Sequence, residues 1–418
     1  MQDKADLEEQ KMRISVIGLG YIGLPTALIM AANGNVIVGT DKSEELVAKL
    51  NRGEMTFEEE GLQELFQRAV ENHIQFTTTY QEADVYIVAV PTPYMKRDKK
   101  VDAAYVRNAV DEVLTLCPKG AVIVIESTIS PGTIDKHIRP LVEEHGMKCG
   151  EDVHLVHAPE RIIPGSMIRE LENNNRTIGA DDANIGMEIK RLYKTFCKGE
   201  IAVTNIKTAE MTKVVENTYR DINIAFANEL AKICRTDNMD VYEIIRIANM
   251  HPRVNILTPG PGVGGHCISV DPWFLVGDYP GLANIILAAR KINDSMPEFV
   301  LERISEIMEQ EGVSKVSRVG IYGLTYKENV DDIRESPTLQ LLECMKKHLA
   351  SGLKIYDPYI KKDIVENQYQ DFACFMKDID MVVIMVGHEH IRQNMDVLQG
   401  KIVLDTRNIC DMDGVYRL

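Results

Sequence analysis

The sequence lacks the marks of several large classes of protein. Its eight cysteines contain no CxxC pair and no zinc-finger spacing, which argues against a metal site or a disulfide scaffold and favours a reducing, cytoplasmic setting. No apolar run reaches the roughly 18 residues that could span a membrane, and the polar residues 1–11 are unlike a signal peptide. The chain has 47 Lys and Arg but 63 Asp and Glu, which gives a net charge of −16, so a nucleic-acid surface is not expected. The remaining class is a globular protein of two or three domains.

The first clear pattern begins at Met12 with an apolar strand, a glycine turn in the spacing GxGxxG and an apolar helix. A second apolar strand follows and ends in Asp41, about 20 residues on, and the residues 44–82 after it are predicted to be helical. The glycines allow a tight turn and the approach of a pyrophosphate, and Asp41 would bind a ribose diol and repel a 2′-phosphate. This pattern predicts an NAD site rather than an NADP site. The predicted cofactor residues of the stretch are Gly18, Gly20, Tyr21, Ile22, Gly23 and Asp41.

Strands are also predicted in three later apolar segments, at 83–93, 121–133 and 152–165. Ser127, Thr128 and Ser130 end the second of these segments, and Glu160 and Arg161 end the third. Ligands of open parallel sheets bind at this carboxyl edge. A surface salt bridge would also explain Glu160 and Arg161, but their place after a buried strand favours a site.

Residues 206–249 have the apolar spacing of helices. Lys213, Asn217 and either Arg220 or Asp221 form a polar stripe on the first of them. The stripe is either a solvated face or the side of a long connecting helix that is turned toward a cleft between two lobes.

Residues 258–275, TPGPGVGGHCISVDPWFL, place Cys267 within a run of glycines and prolines. Glycine has no Cβ and allows the main chain to come close to a bound group. Asp271 lies four residues after Cys267, so one turn of helix would put both side chains on one face, and a helix start favours the thiolate. The alternative is a tight loop around a buried, inert cysteine.

The C-terminal part repeats the strand order of the first on a smaller scale, with a helical segment near 281–311 before it. Its first loop has no full GxGxxG, so no second NAD is assigned, and Lys327, Arg334 and Arg407 are either diphosphate ligands or exposed cations. We therefore expect an α/β protein of two Rossmann-like, doubly wound parallel-sheet lobes joined by a long central helix. The predicted domains are an NAD-binding domain at 12–205, a central helical linker and dimerisation domain at 206–311, and a nucleotide-sugar-binding domain at 312–418.

An NAD site together with an activated cysteine predicts a four-electron oxidation. Oxidation of an alcohol gives an aldehyde, thiolate attack gives a thiohemiacetal, a second oxidation gives a thioester, and hydrolysis releases an acid. Cys267 would be the nucleophile and Lys213 the acid/base or oxyanion partner. Asn217 would orient water or donate to the oxyanion, Asp271 would relay protons, and Glu160 would guide the hydrolytic water.

These motifs resemble the UDP-glucose/GDP-mannose dehydrogenase family over nearly the whole chain. The family's hallmarks occur in order as GLGYIGLP, Asp41, VPTP, ESTISPGT, PER, AEMTKVVENTYRDINIAFANE, GVGGHC with Asp271, and YGLTYKENVDDIRESP. The resemblance implies a two-lobed NAD enzyme that oxidises the C6 hydroxyl of a nucleotide sugar and works as a homodimer or larger assembly. It also implies that Cys267 is the nucleophile, that Lys213 is the acid/base, and that Thr92, Thr128 and Arg334 contact the cofactor.

Within the family, HPRVNI (251–256) and GPGVGGHCISVDPWF are most similar to the UDP-N-acetyl-D-mannosamine dehydrogenase branch. This implies oxidation to UDP-N-acetyl-D-mannosaminuronate in polysaccharide biosynthesis, with His251 and Arg253 reaching the sugar-nucleotide site across a dimer interface. The other implied substrate residues are Arg161, Ile162, Lys213, Asn217, Arg220, Gly264, Tyr326 and Lys327.

Three other functions remain open at this point. UDP-N-acetylglucosamine or UDP-glucose 6-dehydrogenases would share the same catalytic residues. Pro164 stands where many UDP-glucose enzymes have a second glutamate, so the role of that carboxylate does not transfer, and a larger C2 substituent is more plausible. A two-electron hydroxy-acid dehydrogenase would need no cysteine, and an NAD-sensing protein would not need Lys213, Asn217 and Cys267 together.

Overall fold

The structure, a computed structural model, describes residues 12–95, 100–265, 267–347 and 352–418. Residues 1–11, on which the comparison with a signal peptide rests, lie outside this part. Packing divides the chain into two compact units, one up to Val215 and the other from Glu216 to Leu418. The dividing point falls within one long helix.

The first unit is built on a large, mainly parallel sheet. Its strands, with a short antiparallel hairpin formed by β5 and β6, are β1 (Arg13–Ile17), β2 (Val36–Thr40), β3 (Gln75–Thr77), β4 (Val85–Val88), β5 (Tyr94–Met95), β6 (Lys100–Val101), β7 (Ala121–Ile125), β8 (Val153–His157), β9 (Arg176–Ala180) and β10 (Ile201–Thr204). The eight-stranded sheet has the order β10-β9-β8-β7-β4-β1-β2-β3, and within it β8 and β9 pair antiparallel. Strands such as β4 and β7 are buried along their full length, as a sheet covered by helices on both faces requires.

The helices of this unit follow the strands in alternation. They are α1 (Gly23–Ala32), α2 (Glu44–Asn51), α3 (Leu62–Glu71), α4 (Ala104–Leu114), a helical turn at Ile134–Ile138, α5 (Arg139–Glu144), α6 (Met167–Asn173), α7 (Ala183–Tyr193) and the beginning of α8 (Ile206–Thr236). The prediction of a helical segment at 44–82 is wrong at its end, where β3 pairs with β2. The reason is tertiary packing, because Phe76 on β3 is buried and its ring stacks 5.9 Å from that of Phe66.

The second unit contains a smaller, fully parallel sheet. Its strands are β11 (Val319–Tyr322), β12 (Lys354–Tyr356), β13 (Gln368–Tyr369), β14 (Met381–Ile384), β15 (Ile402–Asp405) and β16 (Tyr416–Arg417), in the order β13-β12-β11-β14-β15-β16. The two-residue edge strands β13 and β16 were not predicted, because such short segments have no periodicity of their own. The prediction of two Rossmann-like parallel-sheet lobes is confirmed.

Helices precede and flank this second sheet. They are the rest of α8, α9 (Val241–Ala248), α10 (Asp271–Asp278), α11 (Asn284–Asp294), α12 (Met296–Gln310), α13 (Pro337–Lys347), α14 (Phe372–Asp378) and α15 (Glu389–Arg392), with helical turns at Val316–Arg318 and Met395–Leu398. Helix α8 is 31 residues long. Within the described ranges, no helix combines the length and apolar character needed to cross a membrane.

Candidate active site

The turn between β1 and α1 leaves room for an anion. Gly18 has φ +89°, and a Cβ at Gly23 would come within 1.8 Å of the Gly18 carbonyl oxygen, so both positions need glycine. At Gly20 an added Cβ would meet no atom within 4 Å. No described side chain caps the N-terminus of α1, and its first turn carries no acid. The helix N-terminus and the open space at Gly20 fit the pyrophosphate of NAD.

Asp41, the residue predicted to bind the ribose, follows β2 and is hydrogen-bonded to this loop. Its Oδ2 accepts a hydrogen bond from Leu19 N at 2.8 Å, and its Oδ1 accepts one from Ser43 N at 2.9 Å, while the residue stays half-buried. Asp357 has the same place in the second unit. It is buried, and it accepts hydrogen bonds from the backbone N–H groups of Leu324 and Thr325, among others. Asp41 is therefore the acid that retains an accessible edge for a ribose diol.

The other predicted cofactor residues lie at two places. Thr92 is buried in the segment after β4, and Thr128 is half-buried after the neighbouring strand β7. Tyr21, in the glycine turn, is 38% exposed and packs its ring 4.6 Å from that of Phe57, and Ile22 is the N-cap of α1. Arg334 differs from these because it belongs to the second unit, where its guanidinium pairs with Asp332 at 2.6 Å.

Glu160 takes part in a buried charge cluster at the end of β8. Its Oε2 lies 2.6 Å from Nη1 of Arg176, with both side chains almost fully buried. Its Oε1 accepts hydrogen bonds from the N–H groups of Arg161 and Ile162, at 2.6 and 3.2 Å. The carboxylate thus fixes the backbone of two residues predicted to bind substrate.

A second acid of this cluster, Glu126, was missed by the sequence analysis. It follows β7 directly, is almost completely buried, and accepts hydrogen bonds from Tyr193 at 3.0 Å and Thr26 at 3.1 Å. Burial, and secondly the charge of Glu160, raises the pKa of Glu126 to about 8. The signal available in the sequence was an acid or an arginine at the end of an otherwise uncharged strand segment, at Glu126 in AVIVIE and at Arg176 in RTIGA.

The first turns of α8 carry Lys213, which is 5% exposed. Its Nζ forms no hydrogen bond or ion pair with any residue in the part of the chain that the structure describes. One turn earlier, the buried Glu210 accepts hydrogen bonds from the N–H groups of Gly132 and Ile134, at 2.5 and 3.0 Å. Glu210 thereby attaches this end of α8 to the loop that follows Thr128. A buried lysine Nζ that no described residue holds in a hydrogen bond is suited to contact a bound oxyanion or hydroxyl.

In the second unit, Asn217 and Cys267 approach one another through Asp271. The N–H of Asp271 donates to the carbonyl of Cys267 at 2.8 Å, so residues 267–271 form the single helical turn suggested by the spacing, and α10 begins at its end. Nδ2 of Asn217 donates to Oδ2 of Asp271 at 2.6 Å within a buried environment. Cys267 is half-buried and is not part of a disulfide. The polar stripe of α8 and the cysteine turn thus share a hydrogen bond.

The space beside the glycines before Cys267 is occupied by the protein's own side chains. A Cβ at Gly264 would lie 2.6 Å from Cβ of Tyr326, and one at Gly265 would lie 2.7 Å from its ring. A Cβ at Gly260 would lie 2.8 Å from Nη1 of Arg407. Close approach is therefore required at Gly264 and Gly265, but the group that approaches is Tyr326 and not the bound group that the sequence suggested. The predicted substrate residue Gly264 is thus in contact with the predicted substrate residue Tyr326.

The remaining predicted substrate residues are spread over the second unit. Arg220 is exposed, whereas its neighbour Asp221 is buried, as Lys213 and Asn217 are, and is paired with Arg290. His251 and Arg253 are exposed just after α9. The half-buried Lys327 has its carbonyl held by Oγ1 of Thr325 at 2.9 Å.

Three family models match successive parts of this chain. They describe the NAD binding domain, the central domain and the UDP binding domain of the UDP-glucose/GDP-mannose dehydrogenase family, and they match residues 12–197, 207–295 and 320–412. Together they span the two sheets and the helices between them.

Individual proteins match over nearly their full length. The UDP-N-acetyl-D-mannosamine dehydrogenase of Methanocaldococcus jannaschii is 41% identical, with 96% of this chain and 93% of that protein covered. An NDP-N-acetyl-D-galactosaminuronic acid dehydrogenase of Ralstonia solanacearum is 38% identical, with 95% and 96% covered. The native structure of a UDP-N-acetyl-mannosamine dehydrogenase from Staphylococcus aureus is 40% identical, has a TM-score of 0.87, and is matched over 97% of this chain and 98% of its own.

Proposed function

The chain belongs to the UDP-glucose/GDP-mannose dehydrogenase family, and on this basis we propose that it oxidises the C6 hydroxyl of UDP-N-acetyl-D-mannosamine to a carboxylate. It is an NAD-dependent nucleotide-sugar dehydrogenase. The sugar is proposed because relatives at about 40% identity carry that name. The observation that supports the four-electron chemistry is the 2.6 Å hydrogen bond between Asn217 and Asp271, which places Asn217 beside the turn of Cys267 in the second unit.

The proposed mechanism divides the work among four side chains. Lys213 takes the proton of the C6 hydroxyl. The loop at Gly20 and Asp41 would hold NAD, which would supply the hydride acceptor for both oxidations. The thiolate of Cys267 then forms a bond to the aldehyde carbon and gives a thiohemiacetal, which is oxidised to the thioester. Asn217 donates a hydrogen bond to the oxygen that becomes negative in these steps.

Hydrolysis completes the cycle. Water adds to the thioester carbonyl, the carbon–sulfur bond breaks, and the sulfur leaves as thiolate while the carboxylic acid loses a proton. Asp271 accepts protons in this step, since it is buried beside the cysteine turn. For Glu160, the guiding of the water stays a prediction. Its hydrogen bonds to Arg161 and Ile162 support a second contribution, in which it holds the end of β8 rigid.

A homo-oligomer is part of the proposal, with a site shared across the interface. Helix α8 exposes Tyr219, Phe226 and Ile233 at a spacing of seven residues, α9 exposes Ile247, and Met250 is exposed just after α9. A stripe with heptad spacing, 49–63% exposed, on a long helix is typical of a helix-to-helix interface. A second copy of the chain is the occupant we propose, because the exposed substrate residues at 251 and 253 follow directly on this apolar face.

Mixing two defective proteins tests the shared site. His251→Ala and Cys267→Ser are each expected to be inactive, but a hetero-oligomer would contain one intact site. Remixed dimers are then expected to recover about a quarter of the wild-type activity, since half of them are mixed and each has one complete site. A mixture with no more activity than its components would show that each site is built from one chain.

The substrate and the electron count are tested by one assay. Purified protein is incubated with NAD and, separately, with UDP-N-acetylmannosamine, UDP-N-acetylglucosamine, UDP-N-acetylgalactosamine and UDP-glucose, and the NADH formed per sugar consumed is measured. We expect two NADH per UDP-N-acetylmannosamine and far slower turnover of the others. Turnover of another sugar at a higher kcat/KM would reassign the substrate, and one NADH per sugar would refute the thioester route.

A further inference from the structure

Two buried asparagines connect α8 and α11 to the loop that carries Cys267. Oδ1 of Asn228 accepts a hydrogen bond from the N–H of Gly260 at 2.9 Å. Nδ2 of Asn228 donates to Oδ1 of Asn293 at 2.8 Å. Both side chains are buried within the second unit. Asn228 thus uses both ends of its amide, one on the loop and one on the next asparagine.

An ion pair lies at the other end of this chain of hydrogen bonds. Nδ2 of Asn293 donates to both the carbonyl oxygen and Oδ1 of Asp221, at 3.0 and 2.8 Å. Nη1 of Arg290 lies 2.5 Å from the same Oδ1, and both charged side chains are at most 2% exposed. A buried pair of this kind holds its geometry firmly, because separating the charges in the interior is costly.

The ion pair determines which way each amide faces. The carboxylate of Asp221 paired with Arg290 can only accept hydrogen bonds, so Asn293 must present its Nδ2 to it. The Oδ1 of Asn293 then faces Asn228, so Asn228 must donate a hydrogen bond to it from Nδ2. The free Oδ1 of Asn228 therefore faces the loop as an acceptor, which is the group that the N–H of Gly260 requires. One charge thus sets the direction of two amides.

The network touches the cysteine loop on both sides. Gly260 lies seven residues before Cys267, and Trp273, on α10, lies six residues after it. The guanidinium of Arg290 lies over the Trp273 ring, 6.0 Å from its centroid. The guanidinium of Arg407 lies beside Gly260 on the same loop.

We propose that Asn228 is a positioning residue for the thiol of Cys267, and that the chain Arg290–Asp221–Asn293–Asn228 fixes the loop on which the thiol lies. Asn228 acts through Gly260 and contacts neither the sulfur nor the substrate. The inference rests on the proposed function of Cys267, and its test is a thiol measurement that needs no turnover.

The variant Asn228→Asp tests the direction of the amide. It keeps the size of the side chain and the acceptor for Gly260, but it replaces Nδ2 with an oxygen. When ionised, this oxygen faces Oδ1 of Asn293, and two acceptors repel. When protonated, it can again donate to Asn293, so the wild-type arrangement returns. The defect is therefore expected to be present at high pH and to disappear as the pH falls.

The readout is the rate at which a small thiol reagent, methyl methanethiosulfonate, modifies Cys267, measured by peptide mass spectrometry. The exposed Cys374 in the same molecule serves as the internal reference. Relative to wild type, the Cys267/Cys374 rate ratio of Asn228→Asp is expected to change about fivefold near pH 8, the equivalent of one hydrogen bond, and to return to the wild-type value near pH 5.5. We also expect kcat to fall near pH 8 while KM for NAD is unchanged.

Two further variants separate positioning from a general loss of stability. Asn223→Asp changes an asparagine of the same helix, which bonds to Asn255 and Leu257 outside the network, and its Cys267 rate ratio should show no such pH dependence. Asn228→Ala removes both hydrogen bonds without adding a charge, and its altered ratio should be independent of pH.

Several outcomes would overturn the proposal. A folded Asn228→Ala with a wild-type rate ratio does so, even if Asn228→Asp fails to fold. An equal, pH-dependent effect in Asn223→Asp does so as well. If wild-type protein forms no NADH with any nucleotide sugar, the proposed function fails, but the thiol measurements still decide the role of Asn228.

Discussion

Replacing Arg176 by methionine removes a guanidinium that lies 2.6 Å from Glu160 inside the first unit. Removing one partner of a buried ion pair costs about 3–5 kcal/mol, because the other charge is left uncompensated. The guanidinium also lies 5.1 Å from the ring of Tyr193 and 5.3 Å from that of Phe196. Losing these contacts adds up to about 1 kcal/mol each. We therefore expect the free energy of unfolding to fall by about 3–7 kcal/mol.

Urea unfolding followed by far-UV circular dichroism measures this loss. The matched control is the double variant Glu160→Gln/Arg176→Met, in which neither member of the ion pair is left charged without its partner. It should recover most of the lost stability, since exchanging a whole buried ion pair for neutral groups is often close to neutral. A loss below about 1 kcal/mol for Arg176→Met, or a double variant as unstable as the single one, would refute the view that Arg176 compensates Glu160.

Three further predictions concern the first unit. The raised pKa of Glu126 lets the folded chain keep a proton that the unfolded chain loses, so the contribution of Glu126 to stability falls as the pH rises from the ordinary carboxyl pKa of 4.5 to about 8. Urea titrations should therefore show that Glu126→Gln gains stability relative to wild type over this pH range. A difference in stability that does not change with pH would contradict the raised pKa. Asp41→Asn should reduce the ratio of kcat/KM for NAD to that for NADP, whereas an unchanged ratio would remove Asp41 from the ribose site. Gly20→Ala should raise KM for NAD without lowering the melting temperature, whereas Gly23→Ala should lower the melting temperature. An unchanged KM for NAD in Gly20→Ala would place the pyrophosphate elsewhere.

The sequence was informative where one local pattern determines one structure. The apolar run, the three glycines and the acid at the end of the next strand predicted the turn at Gly18 and the position of Asp41, because each depends on a few neighbouring residues. The four-residue spacing of Cys267 and Asp271 likewise predicted their helical turn.

Long-range packing was not accessible in the same way. The partner of Glu160 is Arg176, 16 residues away on the antiparallel strand β9, and no spacing rule predicts that register. The asparagines at 228 and 293 look like ordinary polar helix residues, and their importance depends on burial. The glycines around 264 were expected to bring the main chain close to a bound group, but the fold places the side chain of Tyr326 against them.

The covalent role of Cys267 is the central claim, and trapping the intermediate tests it most directly. Enzyme turning over UDP-N-acetylmannosamine and NAD is quenched in acid, digested, and analysed for the mass of the peptide that contains Cys267. The account predicts that a fraction of this peptide carries the uronyl group of the nucleotide sugar as a thioester, and that the adduct is absent without NAD and on the peptide of Cys267→Ser. A Cys267 peptide that stays unmodified throughout turnover, together with full activity of Cys267→Ser, would contradict the account.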